Sequence, residues 1–230
     1  MRLAGRTAIV TGAAGNLGQA VCHRLAGEGA SLVLLERDQT GLAKLQEALP
    51  GAHVVRTVDL LNAADVAEAV SDVGPVDIVC ATAGGFDMGS DVHATPAEMW
   101  QRLQAINVGT LLPLLSAVVP GMIKRGSGKI ITVGAHAALR GVAKMGAYCA
   151  AKSAVMRITE SASAELIGHG INVNAVLPTI IDTPQNRAAM PKADPANWVS
   201  PDQLAGVIAF LASPDADAIH GALIPVTGRS

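Results

Sequence analysis

Seven short apolar runs, each separated from the next by a stretch with helical periodicity, most tightly constrain what this chain can fold into. The runs lie at 7–10, 32–35, 53–55, 76–80, 129–133, 171–176 and 222–226. They are near-continuous in apolar character rather than alternating, as strands covered on both faces require. Between them apolar residues recur at spacings of three and four, as Leu111, Leu115, Val118 and Met122 do. Strand–helix alternation of this kind produces parallel pairing through right-handed crossovers. The sequence therefore predicts an α/β fold: a doubly wound, Rossmann-type parallel sheet of about seven strands, in a single domain spanning 1–230.

Charge and composition narrow the partners. The net charge is −2 with no like-charge block, which gives no electrostatic case for nucleic acid or an anionic membrane surface. No uninterrupted apolar run reaches about 18 residues, so no transmembrane helix is expected. Met1 to Arg6 lead straight into the first run without a signal-peptide pattern, which predicts a cytoplasmic protein. Cys22, Cys80 and Cys149 are far apart and form no CxxC pair, so they are expected as buried thiols. The six histidines include no HExxH and no cluster with cysteine, so no metal site is expected. Trp100 is expected to pack in the core or at an interface. Residues 178–201 carry five prolines, fit no strand and follow the sixth run, where a substrate lid would sit; Trp198 lies within them.

Thr11-Gly12-Ala13-Ala14-Gly15-Asn16-Leu17-Gly18 follows the first strand and opens a helix. Gly12, Gly15 and Gly18 permit a tight turn and close backbone approach, so that Ala14, Asn16 and Leu17 can present main-chain amides to a pyrophosphate at the helix N-terminus. Glu36 ends the second strand, where a carboxylate accepts hydrogen bonds from the adenosine ribose. That carboxylate repels a 2′-phosphate and favours NAD(H), while Arg37 beside it still admits NADP(H).

Tyr148 and Lys152 stand four apart in a run, 146–166, that reads as helix, so both face one side. A phenol of ordinary pKa near 10 is a poor acid–base catalyst at neutral pH, and a neighbouring ammonium is expected to lower it. Tyr148 is the only tyrosine in the chain.

With Thr11-Gly12, Asp59, Ala83-Gly84, Asn107-Val108-Gly109, Tyr148-x-x-x-Lys152, Asn174, Pro178 and Thr183 in this order, the sequence resembles the short-chain dehydrogenase/reductase family over its length. The resemblance implies an NAD(P)-dependent oxidoreductase moving a hydride between nicotinamide and a carbonyl, alcohol or quinonoid small molecule, with Tyr148 as acid/base. It implies that Asp59 and the adjoining Leu60 contact adenine and that Ala81, Thr82, Ala83 and Gly84 pass the adenosine ribose. Asn107 would hold a water leading to Lys152, and Pro178, Thr179, Ile180 and Thr183 would lie along the nicotinamide side. Phe86, His136 and Asn186 are candidate substrate contacts. The small-residue helices at 109–124 and 146–166 would pack across a twofold axis, giving a homodimer or homotetramer. One departure stands out: Ala135 occupies the position, thirteen before the tyrosine, where the family usually has a carbonyl-binding serine. A narrower resemblance, to quinoid dihydropteridine reductases, is carried by 83–89, 134–139, Leu177-Pro178, Asp182-Thr183-Pro184, Asn186-Arg187, Met190-Pro191 and Ala193-Asp194; that branch also lacks the serine. Two other readings fit parts of the sequence. A cofactor-binding module with little turnover is suggested by Ala135. A nucleotide-sugar epimerase is suggested by the glycine spacing, but few residues follow Val176 to build a second domain.

Overall fold

The computed structural model describes residues 1–229. Its strands are β1 (Thr7–Thr11), β2 (Ser31–Glu36), β3 (Val54–Thr57), β4 (Ile78–Ala81), β5 (Gly128–Val133), β6 (Ile171–Pro178) and β7 (Leu223–Val226). They form one parallel sheet in the order β3-β2-β1-β4-β5-β6-β7. All seven apolar runs are strands, and the architecture is a single-domain Rossmann-type fold.

Successive residues of each strand serve opposite faces. Ala8, Val10, Leu32 and Leu34 join one core, under α1 (Asn16–Gly27), α2 (Gln39–Ala48) and α8 (Pro201–Leu211). Ile9, Val33 and Leu35 join the other, under α3 (Ala63–Val70), α5 (Leu111–Arg125) and α6 (Gly146–Leu166). Each fully buried Leu or Ile removed from water contributes roughly 1.5–3 kcal/mol, so both layers are held mainly by these interleaved side chains. The strand order turns back between β1 and β4, and the crevice beyond the carboxyl ends at that point is where such sheets bind ligands.

The expected helix at 109–124 is part of something longer. α4 (Ala97–Gln104) runs through a π-helical turn (Ala105–Gly109) into α5, so the helical path is continuous from 97 to 125. It contains an 18-residue window of mean hydropathy 1.8, long and apolar enough by length and composition to cross a membrane. The uninterrupted-run criterion passed over it because Asn107, Thr110 and Ser116 break the apolar run without lowering the average much. Here its Leu103, Leu111, Leu114, Val118 and Met122 are buried in the fold. Trp100, expected to pack, is 47% exposed on α4.

The proline-rich segment is more structured than its sequence suggests. Its first residue, Pro178, completes β6, and Ile181 and Val199 form an isolated parallel bridge. Between them lies α7 (Pro184–Ala189), whose N-terminus is capped by the Thr183 side chain with proline in the first turn, a favourable start for a short helix. Trp198 is buried and anchors the end of the segment. The three cysteines are buried and free.

Candidate active site

The glycine turn is tight for reasons the coordinates make explicit. Gly12 has φ +62°, in the left-handed region, and a Cβ there would stand 2.9 Å from the Ala83 Cα. A Cβ on Gly18 would run into the Gly12 carbonyl oxygen. β1 therefore turns directly into α1, whose N-cap Gly15 supplies no side-chain cap, and the first-turn amides of Asn16, Leu17 and Gly18 have no intrahelical partner. Aligned amides at the positive end of a 12-residue helix, with backbone kept clear by missing Cβ atoms, fit a pyrophosphate. Ala14 is on this turn, and its carbonyl accepts a hydrogen bond from the Gln19 side chain. Thr82 Oγ donates to the Thr11 carbonyl at 2.5 Å, and Ala83 N donates to Thr11 Oγ at 3.2 Å, locking the loop after β4 to the end of β1.

Glu36 sits at the tip of β2, where one carboxylate oxygen accepts from the amides of Arg37 (2.8 Å) and Asp38 (3.4 Å). Those bonds fix the carboxylate at the crevice edge, with the Arg37 side chain exposed next to it. Asp59 is exposed and accepts from Leu61 N, but the Leu60 side chain is buried in the core with Val58 and Val66. Of that pair only Asp59 presents a side chain to solvent.

Past β4, three groups converge. A Cβ at Gly84 would lie 2.8 Å from Asn107 Oδ1 and 3.2 Å from Lys152 Nζ, so this glycine is the space between them. Asn107, in the π turn, accepts from Gly85 N (3.2 Å) and donates to the carbonyls of Gly85 (3.0 Å) and Leu103 (2.9 Å). Lys152 is buried on α6 and donates to the Val133 carbonyl at 2.9 Å. One turn earlier, the half-buried Tyr148 meets the edge of Phe86, ring centroids 4.9 Å apart and planes at 82°. Ala135 is buried in an apolar cluster with Ala138, Met156, Ala175 and Leu177, against which Tyr148 packs.

The electrostatics differ from the expectation that Lys152 lowers the phenol's pKa. Burial pushes the Tyr148 hydroxyl up to about 12, with the neighbouring Cys149 adding to the rise, and burial pulls Lys152 down to about 8. The reason is orientation: the ammonium is spent on the Val133 carbonyl, and desolvation dominates both groups.

That burial has a measurable consequence. An unfolded lysine titrates near 10.5 and the folded Lys152 near 8, so between those values the unfolded chain binds more protons. Stability of the cofactor-free protein therefore rises with pH across that window, as a penalty of roughly 3 kcal/mol for the buried charge, present below pH 8, is relieved. Lys152→Met carries no such penalty. Its thermal-stability advantage over wild type should shrink steadily between pH 8 and 10.5; a constant difference in melting temperature across that range would refute the assignment of burial as the cause.

The remaining candidates fall around this centre. His136 is half-buried and opens a one-turn helix (His136–Leu139) directly after Ala135. Pro178 is buried at the end of β6, Thr179 Oγ donates to the Thr227 carbonyl at 2.9 Å, and the Ile180 carbonyl accepts from Val199 N. Thr183 caps α7, and Asn186 turns its amide to the Ile181 carbonyl at 2.8 Å. Two contacts were not foreseen. Asn16 Nδ2 donates to Gln185 Oε1 at 2.9 Å, tying the glycine turn to α7, and Phe86 touches Tyr148. Both pairs are far apart in sequence, so no local pattern announces them.

Comparison with known proteins gives the family and the fold. Residues 6–194 match the short chain dehydrogenase family. A sorbitol dehydrogenase of Cereibacter sphaeroides is 33% identical over 99% of this chain and 98% of its own. Among solved structures, an NAD+-bound xylitol dehydrogenase superposes with a TM-score of 0.89 at 26% identity, covering 99% of this chain and 100% of that one. A carveol dehydrogenase from Mycobacterium avium in complex with NAD gives 0.90 at 26% identity, covering 99% and 98%. The chain belongs to the short-chain dehydrogenase family. It is an NAD(P)-dependent oxidoreductase of that family.

Proposed function

We propose that the protein reduces a small carbonyl compound at the expense of NADH, with Tyr148 as proton donor, Lys152 as the ammonium that holds the cofactor beside it and Asn107 as the residue that shapes the proton path. The observation that carries this reading is the meeting of Asn107 Oδ1 and Lys152 Nζ around Gly84, one helical turn from Tyr148 and beside the glycine cradle. When bound, the dinucleotide supplies the hydride. Tyr148 then gives its hydroxyl proton to the carbonyl oxygen as charge develops there. A phenol near 12 is fully protonated at neutral pH and remains a far stronger acid than an alcohol, so it is suited to donating in the reductive direction. Lys152, near 8, is mostly protonated at pH 7; held at the Val133 carbonyl and facing Gly84, its ammonium would bind the ribose hydroxyls of the dinucleotide.

Glu36 at the β2 tip supports a preference for NAD(H) through repulsion of a 2′-phosphate. Residues 178–201, held by Trp198 and by the Asn16–Gln185 bond, serve as the substrate lid. Exposed Leu112 and Ile123 on α5 support assembly as a homodimer or homotetramer, and three buried free thiols support a reducing, cytoplasmic setting. The test is steady-state turnover of a carbonyl panel with each cofactor. The KM for NADH should be about tenfold or more below that for NADPH, equivalent to 1.4 kcal/mol of differential binding. Equal or reversed KM values would remove the role given to Glu36, and absence of turnover with either cofactor would remove the reductase reading.

A further inference from the structure

The entrance to the Tyr148 site is apolar on both sides. Phe86 stays 52% exposed although its edge touches the Tyr148 ring, and Met88 and Val92 follow it on the same loop, also exposed. Across from them Leu139 and Val142 are exposed on the loop after β5. The two loops are joined there: Gly89 N donates to the Lys144 carbonyl at 2.8 Å, and a Cβ at Gly146, two residues before Tyr148, would meet Val92 at 3.0 Å. Deeper in, the wall beside Tyr148 is Ala135, Met156 and Leu177, with a methyl where a hydroxyl could have stood.

Several charged and amide side chains of the same loops are engaged with one another, while Arg140 and His93 stand exposed outside these pairs. Asp87 is paired with Arg102, and Asp91 with Lys144 at 2.7 Å. On α7, Arg187 is paired with Asp182 at 2.6 Å, Asn186 bonds the Ile181 carbonyl, and Gln185 accepts from Asn16. A ligand rich in hydroxyls would lose water at this entrance and find few free partners, which is costly for each hydroxyl left unpaired. A flat apolar ring would cover Phe86 and its neighbours and gain from their burial.

Resting on the carbonyl-reductase reading above, we infer that the site takes a carbonyl attached to a planar apolar ring, the aryl ketone class, in preference to a polyhydroxylated ketone, and that Phe86 sets this preference. In the step, hydride from NADH forms the C–H bond at the carbonyl carbon, the C=O π pair moves to oxygen, and the Tyr148 proton forms the O–H bond. The ketone is reduced by two electrons to the alcohol, the cofactor leaves as NAD+, and the phenol recovers a proton from solvent.

The experiment measures initial rates on the full chain saturated with NADH, using acetophenone and 1-indanone against L-xylulose and D-fructose. The aryl ketones should show kcat/KM values about tenfold or more above the sugars, the scale of discrimination that apolar pocket contacts supply. Phe86→Ser should erase most of that ratio through KM for the aryl ketones, and Phe86→Trp should retain it. Higher kcat/KM for the sugars, or a ratio unchanged in Phe86→Ser, overturns the selectivity while leaving the reductase reading in place. NADH oxidation with none of the four overturns both.

Discussion

Tyr148→Phe should reduce kcat for NADH-dependent carbonyl reduction by about 10²–10⁴-fold, the range a positioned proton donor contributes. The substitution removes one oxygen and keeps the ring that packs edge-on against Phe86 and onto the Ala135–Leu177 cluster. The affinity for NADH, followed by quenching of protein fluorescence or by cofactor emission, should therefore be unchanged. Unfolding temperature should also stay close to wild type, so loss of activity cannot be charged to loss of fold. Retained turnover in this variant would mean that another group donates the proton, and the roles of Lys152 and Asn107 would have to be reassigned with it.

The second large effect is expected at Gly18. A methyl there meets the Gly12 carbonyl oxygen and crowds Ala13, both main-chain atoms that move only by shifting the turn or the start of α1. Forcing a side chain into such a site costs about 1–3 kcal/mol. The same displacement pulls the first-turn amides away from a bound pyrophosphate, so Gly18→Ala should weaken NADH binding by roughly 10–100-fold, each 1.4 kcal/mol being a factor of ten. Gly27→Ala is the internal control, because a Cβ at the far end of the same helix meets nothing within 4 Å. Its binding should match wild type, and its stability should equal or exceed wild type by up to about 1 kcal/mol, alanine being the better helix former. Isothermal titration of the three proteins decides the matter: equal affinities for Gly18→Ala and wild type would show that the turn does not hold the dinucleotide.

What the sequence disclosed and what it hid divide along physical lines. The seven strands were readable because strands covered on both faces must be apolar throughout, which leaves a mark on every residue. The helix at 146–166 was readable with its ends, being long enough for its period to show, and Tyr148 and Lys152 fell on one face of it by spacing alone. The π turn at 105–109 was not: one widened turn inside a helix leaves no periodic trace over five residues. α7 is only six residues long, too short for amphipathic spacing, although Thr183 followed by Pro184 is a helix-start signature that could have located it. The direction of the Tyr148 pKa shift was missed because spacing places a lysine nearby without saying where its ammonium points, and here it points at Val133. The burial of the Leu60 side chain was not announced either, since it lies in a turn past the end of β3 with no periodic pattern to show its facing.

The widened turn also sets the phase of everything around it. Upstream, α4 lies along α6; downstream, α5 lies along α3, so one unbroken rod serves two neighbours. At about 100° per residue, a single insertion or deletion between 105 and 109 would rotate one half of the rod against the other. Either Asn107 would swing off Gly85 or the Leu114–Val118–Met122 stripe would leave the sheet. Chain length at that spot is thus as tightly bound to the chemistry as the identity of any side chain it carries.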